Sequence, residues 1–124
     1  MDKRIEVLAM DDDPLIVRFL QKVLKKLDIG FYSAENAKSG VEIFSQKSEA
    51  ITIVLLDLSL SDQPWNHTVD QLLAIRKDLK IVISSGSLIE DQTHEVDSRV
   101  FAHLPKPFSI PDLQKLIQSV ATSL

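Results

Sequence analysis

Five short apolar runs alternate with longer stretches in which apolar residues recur at helical spacing. Residues 5–9, 30–33, 51–56, 80–84 and 100–104 predict strands. Three of these are nearly continuous in Val, Ile and Leu, the composition of strands covered on both faces of a parallel sheet. Between them, Leu15, Ile16, Phe19, Leu20, Val23, Leu24 and Leu27 form the apolar stripe of a first helix. Val41, Ile43 and Phe44 mark a second helix, and Val69, Leu72, Leu73 and Ile75 a third. Ile110, Leu113, Leu116, Ile117 and Val120 mark the last. The stretch after Ser87 is the thinnest, with Leu88, Ile89 and Val96 to bury.

Helix-start chemistry agrees with the periodicity. Asp13-Pro14 places a capping carboxylate before a proline at the first helical position. Thr68-x-x-Gln71, Ser87-x-x-Glu90 and Ser109-x-x-Asp112 have capping-box or similar spacing. Alternating strand and helix predicts an open parallel α/β sheet with right-handed crossovers. Five strands are too few for a closed barrel of eight. In open sheets of this kind the functional site lies at the carboxyl ends of the strands.

Composition narrows the function. The 124 residues amount to one domain, and residues 1–124 are expected to form it. With 14 basic against 18 acidic residues the net charge is −4, which argues against direct nucleic-acid binding. The absence of cysteine removes thiol catalysis and thiolate metal sites. No apolar run is long enough to span a bilayer, and the start lacks a signal-peptide core, so a cytoplasmic location is expected. His67, His94 and His103 show no ligand spacing for a transition metal.

The strand ends carry the candidate chemistry. Strand 1 ends in Asp11-Asp12-Asp13, strand 3 in Asp57, strand 4 in Ser84-Ser85 and strand 5 in Lys106-Pro107. Crowded carboxylates repel one another and attract a hard divalent cation, and magnesium also takes phosphate oxygens as ligands. A lysine can neutralise a phosphoryl oxygen, a hydroxyl can hydrogen-bond another, and an aspartate can itself be the nucleophile.

These segments resemble the receiver domains of two-component response regulators over almost the whole chain. The resemblance is carried by Val7-Leu8-Ala9-Met10-Asp11-Asp12-Asp13-Pro14 and Ile53-Val54-Leu55-Leu56-Asp57-Leu58-Ser59-Leu60. It continues in Ile81-Val82-Ile83-Ser84-Ser85-Gly86 and Leu104-Pro105-Lys106-Pro107-Phe108, and Asn36-Ala37-Lys38-Ser39-Gly40-Val41-Glu42 resembles the start of the family's second helix. Their order and spacing make the match specific. The resemblance implies a (βα)5 flavodoxin-like fold: an open five-stranded parallel sheet in the order 2-1-3-4-5, with helices on both faces.

It also implies the roles. Asp57 matches the phosphoacceptor, and Asp11 and Asp12 match the Mg2+-binding pair, with Asp12 the more direct ligand. Asp13 has its own explanation as the helix cap. Ser59 would offer the metal its backbone carbonyl, and Ser59 and Ser87 hold the positions that tune the lifetime of the phosphoryl group. Ser85 matches the switch hydroxyl, with Ser84 as the competing assignment, since a slip of one residue reverses the face. Lys106 matches the family lysine with a cis bond to Pro107, and His103 stands where an aromatic switch residue is usual. A simpler structural reading accompanies each: a capped turn for Asp57, a solvated turn for the triplet, a surface lysine for Lys106, a strand histidine for His103.

The implied partners are a histidine kinase or histidine phosphotransfer protein, an output domain or target at the face of the fourth helix, fifth strand and final helix, and in some members a homodimer. The chain departs from the family in two places. Ser61 and Trp65 stand where a proline and a glycine are usual, with Pro64 nearby, and Asp97-Ser98-Arg99 replaces the small residues before strand 5. The rival is a receiver fold that docks proteins without phosphorylation. An aspartyl phosphatase would need a second acid where Ser59 stands, and a flavin site would need a phosphate-cradling loop after strand 1.

Overall fold

The computed structural model describes residues 5–86 and 98–124. In chain order the elements are β1 (Glu6–Met10), α1 (Pro14–Lys26), β2 (Gly30–Ala34), α2 (Ala37–Gln46), β3 (Ile53–Asp57), α3 (Trp65–Ile75), β4 (Lys80–Ser85), β5 (Ala102–Pro105) and a C-terminal helix (Ile110–Ser123). The predicted helix after Ser87, its Ser87-x-x-Glu90 cap and His94 lie outside the described residues.

All neighbouring strands are parallel, in the order β2-β1-β3-β4-β5. The predicted strand order is therefore observed, with boundaries displaced by one or two residues. The near-continuous apolar strands follow from burial on both faces. Leu8, Met10, Val54, Leu56, Ile81 and Ile83 pack toward α2 and α3, meeting Phe44, Val69 and Leu72. The alternate positions Val7, Ala9, Ile53, Leu55, Val82 and Leu104 pack toward α1 and the C-terminal helix, meeting Leu20, Leu24, Leu113 and Val120. This alternation decides which side each strand-end residue takes.

Local capping sets where the chain turns. Asp13 accepts from the Leu15 amide ahead of Pro14, and Asn36 accepts from the Ser39 amide at the start of α2. Ser109 and Asp112 form the full reciprocal capping box. After α1, Asp28 takes a left-handed backbone (φ 59°) while the Asp28 and Ile29 amides bond the Lys25 and Leu24 carbonyls, closing the helix into β2.

Two expectations need correction. Thr68 does not start α3: the helix begins at Trp65 after Pro64, which has no side chain to cap it, and Thr68 is buried in the second turn. Its hydroxyl instead accepts from Gln63 Nε2 at 2.7 Å. Leu15 heads the α1 stripe by spacing yet is 72% exposed, because the first turn of α1 projects past the edge of the core. Ile75 and Ile110, at helix ends, are likewise exposed.

Candidate functional site

Parallel register brings the strand ends to one level. Met10 pairs with Leu56, so Asp11 and Asp57 follow side by side, and Asp57 pairs with Ser84 on β4. Alternation carries Asp11, Asp57 and Ser84 to the same face of the sheet, the face of Val7, Leu55 and Val82. Asp11 and Asp57 are buried, at 5% and 3% exposure, whereas Asp12 is exposed. Carboxylate oxygens of Asp11, Asp12 and Asp57 all lie within 4.8 Å of one another.

Lys106 enters from the far edge. It follows β5, its amide donates to the Ser85 carbonyl at 3.0 Å, and its peptide bond to Pro107 is cis. Phe108 packs its ring on Phe19 of α1, 5.9 Å between centroids, which anchors this segment to the body of the fold. The ammonium lies 2.8 Å from Asp11 Oδ2 and 3.4 Å from Asp57 Oδ2. Burial pulls the Lys106 ammonium down, but the Asp11 hydrogen bond and both carboxylate charges outweigh it and hold the group above the usual lysine range. Burial, with help from the Asp57 charge, pushes the Asp11 carboxyl up despite the opposing pull of Lys106 and the Asp13 amide.

The acceptor candidate Asp57 is held by its own loop. The Ser59 amide donates to Oδ1 at 3.0 Å and the Ser59 hydroxyl donates to Oδ2 at 2.8 Å. Sequence reasoning gave Ser59 a carbonyl for the metal and a lifetime-tuning position but missed this hydroxyl contact, which no spacing rule announces.

The unusual stretch after Asp57 is tied down on both sides. Asp62 accepts from the Ala37 and Lys38 amides at 3.0 and 2.9 Å, so the loop adds a carboxylate cap to α2 beside the Asn36 carboxamide. Gln63 Nε2 donates to Thr68 Oγ1 and to Gln71 Oε1 at 2.7 and 2.6 Å. Neither Asp62 nor Gln63 stood out in the sequence, because their partners are set by tertiary placement.

The two serines at the end of β4 are both buried and leave the strand toward opposite faces. Ser85 is the last strand residue, beside Lys106 through its carbonyl. Ser84 is on the Asp57 face. His103 is half-buried in β5, and His67 is exposed on α3. Met10 is fully buried beneath the site and packs against Gly40 of α2.

Three hard oxygen ligands, two of them desolvated, suit a small divalent cation that keeps open positions for further oxygens. Each carboxylate oxygen has two acceptor sites, so the present hydrogen bonds leave room for an ion. A carboxylate nucleophile beside a bound ammonium can form and stabilise an acyl phosphate. No helix among the described residues is long and apolar enough to cross a membrane.

Comparison with known proteins agrees with this geometry. The family model for the response regulator receiver domain matches residues 7–118. The two-component response regulator ORR26 of Oryza sativa subsp. japonica is 24% identical over 120 residues, which cover 94% of this chain and 20% of that protein. The cell cycle response regulator CtrA of Brucella abortus is 26% identical over 117 residues, covering 94% and 50%. The chain thus spans half or less of the length of these curated relatives. A response regulator receiver domain protein from Clostridium thermocellum superposes with a TM-score of 0.86 at 19% identity, covering 96% of this chain and 95% of that one, a likeness of fold.

Proposed function

We propose a phosphoacceptor switch for this chain, which belongs to the response regulator receiver domain family. Asp57 is the acceptor. A carboxylate oxygen of Asp57 attacks the phosphorus of a phosphohistidine or small phosphodonor, the bond to the donor's leaving atom breaks, and an acyl phosphate forms. Hydrolysis later returns the carboxylate and inorganic phosphate. The observation that carries this reading is Asp57 itself: a buried carboxylate whose two oxygens are oriented by Ser59, with the Lys106 ammonium 3.4 Å away.

The chain's own groups divide the remaining work. Lys106 neutralises one phosphoryl oxygen and Ser85 hydrogen-bonds another. Asp11, Asp12, Asp57 and the Ser59 carbonyl are the ligands for magnesium, which when bound neutralises charge on the phosphoryl oxygens. The added phosphoryl charge draws Ser85 and Lys106 inward and biases the face that includes β5 and the C-terminal helix, with His103 as the reporting side chain. Residues 1–124 act as one receiver domain, served by a histidine kinase or phosphotransfer protein in the cytoplasm and read by an output domain, target protein or second copy.

Incubation with acetyl phosphate, with and without magnesium, followed by intact mass measurement tests this reading. One labile phosphoryl adduct that requires the cation supports it. Absence of any adduct overturns it in favour of docking without phosphorylation.

A further inference from the structure

Ser84 is the anomaly beneath the site. It is 4% exposed, and among the described residues its Oγ is a buried side-chain oxygen with no hydrogen-bond partner. A buried hydroxyl without a partner loses its hydration and gains nothing in return. An apolar residue would fit the pattern of its neighbours Val82 and Leu104, which line the same face. The hydroxyl therefore works against the packing of the fold in the state described.

Its position supplies a use. Ser84 pairs with Asp57 on one side and Leu104 on the other. Adjacent strands lie about 4.8 Å apart, so Ser84 is one strand from the acceptor. Lys106 starts beyond β5, yet its ammonium reaches Asp57 on β3 and Asp11 on β1. Its path crosses the end of β4, where Ser84 is the residue on the Asp57 face.

A cation at the same carboxylates would compete with the present lysine pose. Lys106 bonds Asp11 Oδ2 at 2.8 Å, and Asp11 belongs to the cluster that suits the ion. Two positive groups that share one carboxylate repel, which favours withdrawal of the ammonium toward β5. An ammonium that gives up a buried acceptor needs another.

We propose that Ser84 is a positioning residue for Lys106, its hydroxyl accepting a hydrogen bond from the ammonium once a divalent cation takes Asp11. The inference rests on the cation site described above and adds a partner for the lysine in the loaded state. The phosphoryl role proposed for Ser85 is separate from this one.

The test is a magnesium titration of the phosphate-free protein, followed by Trp65 fluorescence and by calorimetry. Ser84→Ala is expected to weaken magnesium affinity about tenfold, the scale of one hydrogen bond to a charged group. Ser84→Thr, which keeps the hydroxyl, stays within about twofold of wild type. The cation-free thermal midpoint of Ser84→Ala is not lowered, because the alanine removes an unpaired group. In a Lys106→Met background the Ser84→Ala effect disappears. Wild-type affinity in Ser84→Ala, an equal loss in Ser84→Thr, or a loss that persists without Lys106 overturns the inference while leaving the cation site intact. No magnesium response in wild type overturns the cation site and the inference together.

Discussion

The Ser59 hydroxyl donates to Asp57 Oδ2 at 2.8 Å, and that same oxygen faces Lys106 Nζ at 3.4 Å. A hydrogen bond to a carboxylate lowers the electron density of its oxygen and occupies a lone pair, so the contact would restrain Asp57 as a nucleophile. Ser59→Ala removes the hydroxyl and leaves the Ser59 amide on Oδ1 in place. The variant is expected to take a phosphoryl group from acetyl phosphate about three- to tenfold faster, within the range of a charge-assisted hydrogen bond. Stopped-flow Trp65 fluorescence reads the rate, and an unchanged or slower rate shows that the hydroxyl does not restrain attack.

Asp11 is held at a cost to the cation-free fold. Its carboxyl is pushed up by burial first, with the Asp57 charge adding to it, so the folded chain holds this proton more tightly than the unfolded chain does. A carboxyl raised in the folded state contributes stability below its unfolded pKa and loses it as pH rises through the folded value. At neutral pH the ionised group is thus a burden, and Asp11→Asn is expected to stabilise the cation-free protein by about 1 kcal/mol, the scale of a single stabilising change. The advantage shrinks as pH falls through the raised folded value and is gone below the ordinary carboxyl range, about pH 4. Thermal melts across that pH range check both parts; a variant less stable than wild type at pH 7 contradicts them.

Asp62 has the opposite sign. Although burial alone would raise it, the Ala37 and Lys38 amides hold its carboxyl below the usual range. A depressed carboxyl contributes stability above its unfolded pKa and loses it as pH falls through the folded value, below about pH 4. The side chain is exposed, so screening keeps the electrostatic part small. Asp62→Ala should cost about 1 kcal/mol at pH 7, the scale of a lost helix cap. Urea denaturation at pH 7 and pH 3 should show that loss diminish in acid. Equal losses at both pH values would mean that the carboxylate charge is irrelevant to the clamp.

Gly40 is required by packing rather than by backbone angle. A Cβ there would come within 2.6 Å of Met10 Cγ and Cε, and Met10 is fully buried directly before Asp11. Gly40→Ala gains helix propensity of about 1 kcal/mol but overpacks the core by about 1–3 kcal/mol. The net expectation is a loss of about 1 kcal/mol in urea denaturation, accompanied by weaker magnesium binding as Asp11 shifts. A stabilised variant would show that Met10 moves aside freely.

Most of the architecture was legible because a doubly covered parallel sheet leaves a strong mark. Ile53 to Leu56 and Ile81 to Ile83 are apolar on both faces, and the carboxyl-end rule then gathers Asp11, Asp57, Ser85 and Lys106 without further information. Local caps such as Asp13 and Ser109 were legible for the same reason: donor and acceptor lie within three residues. Thr68 misled because its hydroxyl serves Gln63, five residues back, rather than a helix start. The Asp62 clamp joins positions 25 residues apart, and the exposure of Leu15 depends on where α1 overhangs the sheet. Neither leaves a periodic trace. The orphaned hydroxyl of Ser84 is visible only once the neighbours that fail to partner it are in place.

The proposed assignment of the phosphoryl group to Asp57 is open to a direct chemical test. Borohydride reduces an aspartyl phosphate to homoserine, which marks the acceptor permanently. Wild-type protein is phosphorylated with acetyl phosphate and magnesium, reduced, digested and mapped by peptide mass. Homoserine is expected at position 57 alone, with no conversion in Asp57→Asn. Conversion at Asp11, Asp12 or Asp13 with Asp57 unmodified, or labelling that survives Asp57→Asn, would contradict it.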